Sequence, residues 1–259
     1  MRLSLFQIDA FASRPFAGNP AAVIPLTAWL PDELMQAIAA ENALSETAFF
    51  APEGSGHRIR WFTPACEVDL CGHATLASAF VLFSELEPRR TAVTFQSRSG
   101  PLTVTREGDL LVLDFPSRPP QPADPVPGLA AALGAEPREL WRSRDLLVLL
   151  DEESQVRALA PDLSALGRFD EFAIIVTARG QDADFVSRFF APRKGVLEDP
   201  VTGSAHSTLV PFWAERLGKA RLRALQVSQR GGELFCEARG ERVAIAGRAV
   251  KVLEGTFFL

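Results

Sequence analysis

The sequence predicts an α+β protein of two similar domains, each a curved, mostly antiparallel sheet around one apolar helix. The first observation is an almost uncharged run at residues 74–83, directly after a polar turn that ends at Gly72-His73. A helix that is apolar on every side is buried on every side. This pattern recurs in the other half of the chain, and a proline-rich stretch lies near the midpoint. The chain of 259 residues is long enough for two domains of ordinary size.

Three short matches relate the two halves at a nearly constant offset. They pair Phe62-Thr63-Pro64 with Phe190-Ala191-Pro192, Gly72-His73-Ala74 with Gly203-Ser204-Ala205, and Gly100-Pro101-Leu102 with Gly232-Glu233-Leu234. Short glycine-containing matches also occur by chance, so the shared offset, rather than any one match, predicts an internal duplication. A roughly two-fold arrangement of the halves is expected to bring the two helix N-termini to one cleft.

In the first half, alternation of apolar and polar residues predicts the strands, and a proline with two acids after it predicts the start of the first helix. The predicted strands are residues 3–9, 21–26, 45–50, 57–62, 91–96, 102–106 and 110–115. The predicted helices run from residue 31 to about residue 41 and from residue 72 to about residue 85.

Repeated prolines at residues 116–127 remove backbone donors and favour extended, semi-rigid chain. We therefore predict an N-terminal domain at residues 1–117, a linker at 118–127 and a C-terminal domain at 128–259. The last strand is a candidate to pair back to the first domain. In the second half the predicted helices are 129–133, 152–159 and 203–217, and the predicted strands are 146–150, 172–177, 183–190, 222–228, 234–238, 243–245 and 249–253.

Composition excludes several classes of function. The formal net charge of −5 is spread along the chain, with no basic stripe that would indicate nucleic acid. No apolar run approaches the ~20 residues that cross a bilayer, and the first residues lack the apolar segment of a signal peptide. We therefore expect a soluble cytoplasmic protein without nucleic-acid or membrane partners. The three cysteines and three histidines do not fall at metal-ligand spacing, which predicts no metal site and no disulfide framework.

Five motifs span nearly the whole chain. They are Gly18-Asn19-Pro20, Asn42-Ala43-Leu44-Ser45-Glu46-Thr47, Phe62-Thr63-Pro64, Cys71-Gly72-His73-Ala74-Thr75 and Glu198-Asp199-Pro200-Val201-Thr202-Gly203-Ser204-Ala205. In this order they resemble the PhzF family of phenazine-biosynthesis-like isomerases. The resemblance implies the diaminopimelate-epimerase-like fold, in which two similar domains each wrap a β-barrel around a central helix and the active site lies in the cleft between them. It also implies a homodimer and an isomerase without a cofactor, acting on a small carboxylate-bearing metabolite.

The resemblance makes Glu46 the general acid/base. Moving a proton between carbons without a cofactor requires one group that removes the proton and returns it. A carboxyl group suits this role if a partly apolar site raises its pKa toward neutrality. By local sequence alone, Glu46 would be a glutamate at the exposed end of a strand, so only the resemblance assigns this role, with Ser45 beside the base.

The resemblance also places Asp199 and His73 in the catalytic set, positioning the substrate or moving a proton. The backbone N–H groups of Gly72, His73, Gly203 and Ser204 are expected to hold a substrate carboxylate, because the first N–H groups of a helix have no partner inside it. Cys71 stands where racemases of this fold carry the first of two cysteines, but the second half has no matching cysteine. We therefore expect Cys71 to be a small buried residue.

Two alternatives to an isomerase remain open at the level of sequence. The first is an amino-acid epimerase or racemase of the same fold. A reaction in deuterated water distinguishes the two: incorporation of deuterium with inversion supports epimerisation, whereas a shifted double bond supports isomerisation. The second is a non-catalytic metabolite-binding module, for which ligands bind unchanged.

Overall fold

The computed structural model describes residues 1–54 and 56–259. The strands are β1 (Arg2–Ala10), β2 (Asn19–Pro25), β3 (Glu46–Glu53), β4 (Gly56–Phe62), β5 (Glu67–Val68), β6 (Ala92–Ser97), β7 (Gly100–Glu107), β8 (Leu110–Pro116), β9 (Gln121–Pro122), β10 (Glu139–Arg142), β11 (Leu146–Leu149), β12 (Ile174–Arg179), β13 (Phe185–Phe190), β14 (Arg221–Gln226), β15 (Gly232–Arg239), β16 (Arg242–Gly247) and β17 (Ala249–Phe258). The α-helices are α1 (Asp32–Asn42), α2 (Gly72–Val81), α3 (Leu129–Leu133), α4 (Glu153–Ala158), α5 (Leu163–Leu166) and α6 (His206–Leu217). Every predicted strand and helix has a counterpart, whereas β5, β9, β10 and α5 were not predicted.

The chain folds into two compact units. The first contains Met1–Asp114 together with Ala246–Leu259, and the second contains Phe115–Ile245. The sequence predicts a linker at residues 118–127, whereas this stretch lies within the second unit, where β9 pairs antiparallel with β10. Proline has no N–H to donate, which keeps this pairing to Gln121 and Pro122 opposite Arg142 and Trp141.

The last strand belongs to the first unit. Strand β17 pairs antiparallel with β1 from Phe258 opposite Arg2 to Ala249 opposite Ala10, with one shift of register between Gln7 and Ile8. It continues beyond the predicted end at residue 253 because its pairing with β1, rather than a buried apolar pattern, holds its exposed last residues.

Strand pairing in the first unit follows the order β17-β1-β2-β3-β4-β6-β7-β8. All neighbours are antiparallel except two parallel pairs, β2 with β3 and β4 with β6. Helix α2 packs against β1, β2 and β3. Since β3 begins at Glu46 and α2 begins at Gly72, this packing brings the start of a strand to the start of a helix.

The second unit repeats this plan as β9-β10-β11-β12-β13-β14-β15. Its two parallel pairs, β11 with β12 and β13 with β14, occupy the same places in the strand order as the two parallel pairs of the first unit. Thr47 lies opposite Phe62 in the first copy, and Ile174 lies opposite Phe190 in the second. The residue of the second copy that corresponds to Glu46 is therefore Ala173.

The predicted central helices are present, with one difference in the second unit. In α2 every residue except Phe80 is buried, which confirms the prediction of a helix enclosed on all sides, and a π-helical turn at Leu82–Leu86 continues it. The sequence predicts one helix from residue 203, whereas Gly203–Ala205 form a 3₁₀ turn before α6 begins at His206. Such tighter turns are frequent at helix N-termini. No helix of the described residues is long and apolar enough to cross a membrane.

Candidate active site

Two predicted site residues of the first unit, Glu46 and His73, meet at the head of α2 together with Cys71, which was expected to be a small buried residue. Glu46 begins β3, Cys71 is the extended residue before the helix, and His73 is the second helical residue. The Nε2 of His73 lies 3.1 Å from the Oε2 of Glu46. The Sγ of Cys71 lies 3.6 Å from the Nδ1 of the same imidazole. The side chain of His73 is 6% exposed and that of Glu46 is 16% exposed, so Glu46 is the more exposed of the two, although its Oε2 is buried.

Glu46 and His73 lie close together, but their facing polar atoms do not meet the geometry of a hydrogen bond. The distance of 3.1 Å is that of an ion pair. Within the part of the chain that the structure describes, however, neither the Oε2 of Glu46 nor the Nε2 of His73 makes a hydrogen bond, although both atoms are buried. Buried polar atoms without a partner are costly, and they are commonly found where a ligand or catalytic function uses them.

Asn19 completes the surroundings of the imidazole. Its Nδ2 lies 3.1 Å from the Nδ1 of His73, and the residue is fully buried. The preceding Gly18 has a φ of +68°, and a Cβ there would lie 2.1 Å from the backbone oxygen of Ala10. The turn that presents Asn19 therefore requires glycine. Asn19 was not assigned to the site from the sequence; its place in a turn motif beside a buried strand was the available signal.

Burial and charge set the protonation of this cluster. Burial, together with the nearby Glu46, raises the pKa of Cys71 to about 11, so it is a thiol at neutral pH. Burial opposes a charge on His73, but the neighbouring Cys71 and Glu46 outweigh it and hold the pKa of the imidazole well above its usual 6.5. With Cys71 neutral, the carboxylate of Glu46 is the anion that favours an imidazolium at neutral pH. The thiol has the environment of a buried, unreactive cysteine.

The other predicted residues of the first unit lie next to this cluster in the chain. Gly72 is the first residue of α2 and is buried, and no side chain caps this end of the helix. Ser45 is half-buried in the bend immediately before β3. Both therefore flank the pair formed by Glu46 and His73.

In the second unit, Asp199 lies in an ordered loop before the helical turn. Its carboxylate accepts a hydrogen bond from the hydroxyl of Thr202. The side chain of Gln226 donates to the backbone oxygen of Asp199 at 2.8 Å and accepts from the backbone N–H of Thr202 at 2.8 Å. Gln226 is 1% exposed, so it fixes the loop from inside. The sequence analysis did not identify Gln226, because its strand pattern does not reveal which loop it meets.

Gly203 and Ser204 form the 3₁₀ turn that follows this loop. The Oγ of Ser204 accepts a hydrogen bond from Arg144 at 3.4 Å. Arg144 is held in place by two hydrogen bonds, of 2.9 and 2.8 Å, to the carboxylate of the buried Asp145. The predicted residues thus form two groups, Glu46, His73 and their neighbours in the first unit and Asp199, Gly203 and Ser204 in the second.

The fold and these two groups can now be compared with known proteins. A family model described as phenazine biosynthesis-like protein matches residues 8–255. The chain belongs to this family. It is 54% identical to an uncharacterized isomerase of Pseudomonas aeruginosa, and the match covers the whole of both chains.

Solved structures give the same result. The crystal structure of a phenazine biosynthesis protein of the PhzF family from Enterococcus faecalis superposes with a TM-score of 0.98 at 48% identity, over all of both chains. A hydroxyproline epimerase from Agrobacterium vitis superposes with a TM-score of 0.65 at 12% identity, covering 98% of this chain and 92% of the epimerase. The latter shows a shared fold only. The predicted α+β, epimerase-like fold and the resemblance to the PhzF family are confirmed.

Proposed function

We propose that this protein is a cofactor-independent isomerase that moves a proton within a small carboxylate-bearing metabolite, with Glu46 as the general acid/base. The observation that carries the proposal is the buried pair of Glu46 Oε2 and His73 Nε2, 3.1 Å apart and without hydrogen-bond partners in the described chain. A carboxylate next to an imidazole supplies a proton acceptor and a proton donor at one place. The name isomerase carried by a relative that is 54% identical supports the same reaction class.

Glu46 takes a proton from one carbon of the substrate and returns it to another. The negative charge that develops meanwhile needs a partner, and the imidazolium of His73 supplies one because its pKa is raised. Asn19 lies against the Nδ1 edge of the ring, and Nε2 faces the carboxylate. This division of labour requires neither a metal nor a bound cofactor.

The remaining predicted residues are proposed to bind the substrate. Backbone N–H groups at Gly72, and at Gly203 and Ser204, begin helical turns and suit a carboxylate. Asp199 is proposed to orient the substrate through its hydrogen bond with Thr202. As the family resemblance implies, we further propose a homodimer located in the cytoplasm.

A two-thiol racemase is disfavoured by the second copy of the repeat. The residue that corresponds to Cys71, just before the glycine of the second motif, is Thr202. Its hydroxyl is bound to Asp199, and burial raises the pKa of Cys71 to about 11. Thr202 has no thiol and Cys71 stays protonated at neutral pH, so neither position supplies a thiolate base.

The test is turnover of a panel of small carboxylates in D2O, followed by NMR. Glu46→Gln keeps the shape of the side chain and removes its basicity, so we expect turnover to fall about 10²- to 10⁴-fold without loss of the fold. Glu53→Gln is the matched control, because Glu53 ends the same strand, is exposed and pairs with Arg58 at the surface. Near-normal turnover by Glu46→Gln would contradict the assignment.

A further inference from the structure

We propose that Glu46, Cys71 and His73 form a binding site for a divalent transition-metal ion, with zinc as the best fit, and that a bound ion inhibits the enzyme. Each residue offers one ligand atom, and these three atoms lie within 4.8 Å of one another. The sequence did not predict a metal site because Glu46 stands far before Cys71 in the chain, and only the packing of α2 on β3 joins them.

The distances suit zinc after a small adjustment. Nitrogen and oxygen ligands about 2.0–2.1 Å from a tetrahedral zinc lie about 3.3 Å apart. The Nε2 of His73 and the Oε2 of Glu46 are 3.1 Å apart. Sulfur and nitrogen ligands of such an ion lie about 3.6 Å apart. The Sγ of Cys71 is 3.6 Å from Nδ1, whereas Glu46 faces Nε2, and the three ligand atoms lie within 4.8 Å of one another. Because zinc binds a single imidazole nitrogen, binding at Nε2 requires Cys71 to move toward that nitrogen.

The chemistry of the ligands selects the ion. A thiolate, an imidazole and a carboxylate together favour zinc over magnesium or calcium, which prefer oxygen ligands. Nε2 and Oε2 are buried and have no hydrogen-bond partner within the described residues, so they are available as ligands.

Binding is an exchange of two protons for the ion. The S–H bond of Cys71 and the N–H bond at Nε2 of the His73 imidazolium break, bonds from sulfur and from Nε2 to zinc form, and both protons pass to the solvent, with no change of oxidation state. The fourth position of a three-ligand zinc is left for water.

Inhibition follows because the ion occupies the carboxylate that would move the proton. This consequence rests on the proposed function, whereas the binding itself does not. The two can therefore fail separately: a protein that binds zinc but is inactive on every carboxylate refutes the reaction, and an active protein that does not bind zinc refutes the metal site.

The test is titration of the purified protein with cobalt, which reports a bond to thiolate by a near-ultraviolet charge-transfer band, followed by displacement with zinc. We expect the band in the wild type and in Cys66→Ser, which alters an exposed cysteine outside the cluster. We expect its loss in Cys71→Ser. Glu46→Gln should keep the band and weaken zinc binding at least about tenfold, since even outer contacts of a metal site are worth about that much.

Circular dichroism of each variant establishes that it is folded before the titration. Absence of the band from the wild type, or its loss in Cys66→Ser with retention in folded Cys71→Ser, would overturn the proposal. If zinc also slows turnover of the wild type and a chelator restores it, the inhibition is established. If saturating zinc leaves turnover unchanged, the inhibition is refuted.

Discussion

The heads of the two central helices share one backbone plan but carry opposite chemistry. In the first copy, Cys71-Gly72-His73 lies beside the carboxylate of Glu46. In the second, Thr202-Gly203-Ser204 takes the same place in the repeat, and the residue that corresponds to Glu46 is Ala173. The two copies share their strand order, but α2 begins directly at Gly72 whereas a 3₁₀ turn precedes α6, and the close pair of carboxylate and imidazole lies in the first copy. Under the proposed function, proton transfer belongs to the first copy, and the second copy binds and orients the substrate.

The buried histidines show what makes the difference. His73 and His206 each lie at the start of a central helix, and both are almost fully buried. His206 lies next to a backbone oxygen, that of Thr202 at 2.9 Å, and burial lowers its pKa to about 4. His73 lies next to a carboxylate, and its pKa is raised. Burial alone keeps an imidazole neutral, and one adjacent negative charge reverses the outcome.

The largest effect expected from this comparison is on catalysis. His73→Asn removes the imidazolium that faces Glu46, so turnover should fall by about 10²-fold or more. His206→Asn changes the buried histidine of the second copy, which lies against Thr202 and Phe185, and should leave the turnover of folded enzyme within a few-fold of the wild type. Steady-state rates on one substrate decide this. Equal losses of turnover in the two variants would contradict the different roles assigned to the two copies.

A second effect concerns stability against pH. The folded pKa of His206, about 4, lies below the unfolded value of about 6.5. As pH falls below 6.5 the unfolded chain takes up a proton that the folded chain refuses, so the free energy of unfolding drops until about pH 4. One such group contributes a loss of about 3 kcal/mol over this window. The pKa of His57 is lowered by burial and by Arg90, so His57 also reduces the free energy of unfolding as the pH falls below 6.5. The pKa of His73 is raised, so His73 changes the free energy of unfolding at pH values above 6.5.

Urea unfolding of the wild type and His206→Asn at several values of pH isolates this contribution. We expect the variant to be less stable at neutral pH but to lose less stability than the wild type between pH 6.5 and 4. Parallel pH curves would show that His206 is not the buried neutral group described above.

The smallest of these effects concerns the loop of the second copy. Gln226→Leu removes the acceptor of the buried N–H of Thr202 and the donor to Asp199. An unsatisfied buried group costs about 1–3 kcal/mol, so the free energy of unfolding should fall by that amount. Gln36→Leu is a matched control in the first copy, because its side chain donates one partly buried bond to Thr63. A change no larger than that of Gln36→Leu would mean that Gln226 does not hold the loop.

Local sequence was sufficient for much of the fold. The uncharged run after His73 predicts the buried helix, and the repeated motifs predict the second copy, because periodicity and turn chemistry act over a few residues. The short pairing of β9 with β10 in the proline-rich stretch was not predicted, because prolines in a short paired segment have the same local pattern as prolines in a free one. The last strand is longer than predicted for a related reason, because it pairs with a strand that is far away in sequence.

The candidate site was less predictable. Glu46 looks like an ordinary strand residue, and only the family motif assigned it a role. Its approach to His73 depends on how α2 packs on β3, and that of Asn19 depends on a turn that requires Gly18. Gln226 and Arg144 support their loops through contacts between residues more than twenty positions apart. Such contacts are set by tertiary packing, which no short pattern encodes.

The most direct test of the central claim is solvent-deuterium incorporation at saturating substrate, measured side by side for the wild type, Glu46→Gln and Ser204→Ala. If the first copy transfers the proton and the second copy binds, Glu46→Gln will bind the substrate and incorporate almost no deuterium. Ser204→Ala will require more substrate for saturation and then incorporate deuterium at close to the wild-type rate. Incorporation at the wild-type rate by Glu46→Gln would contradict the account.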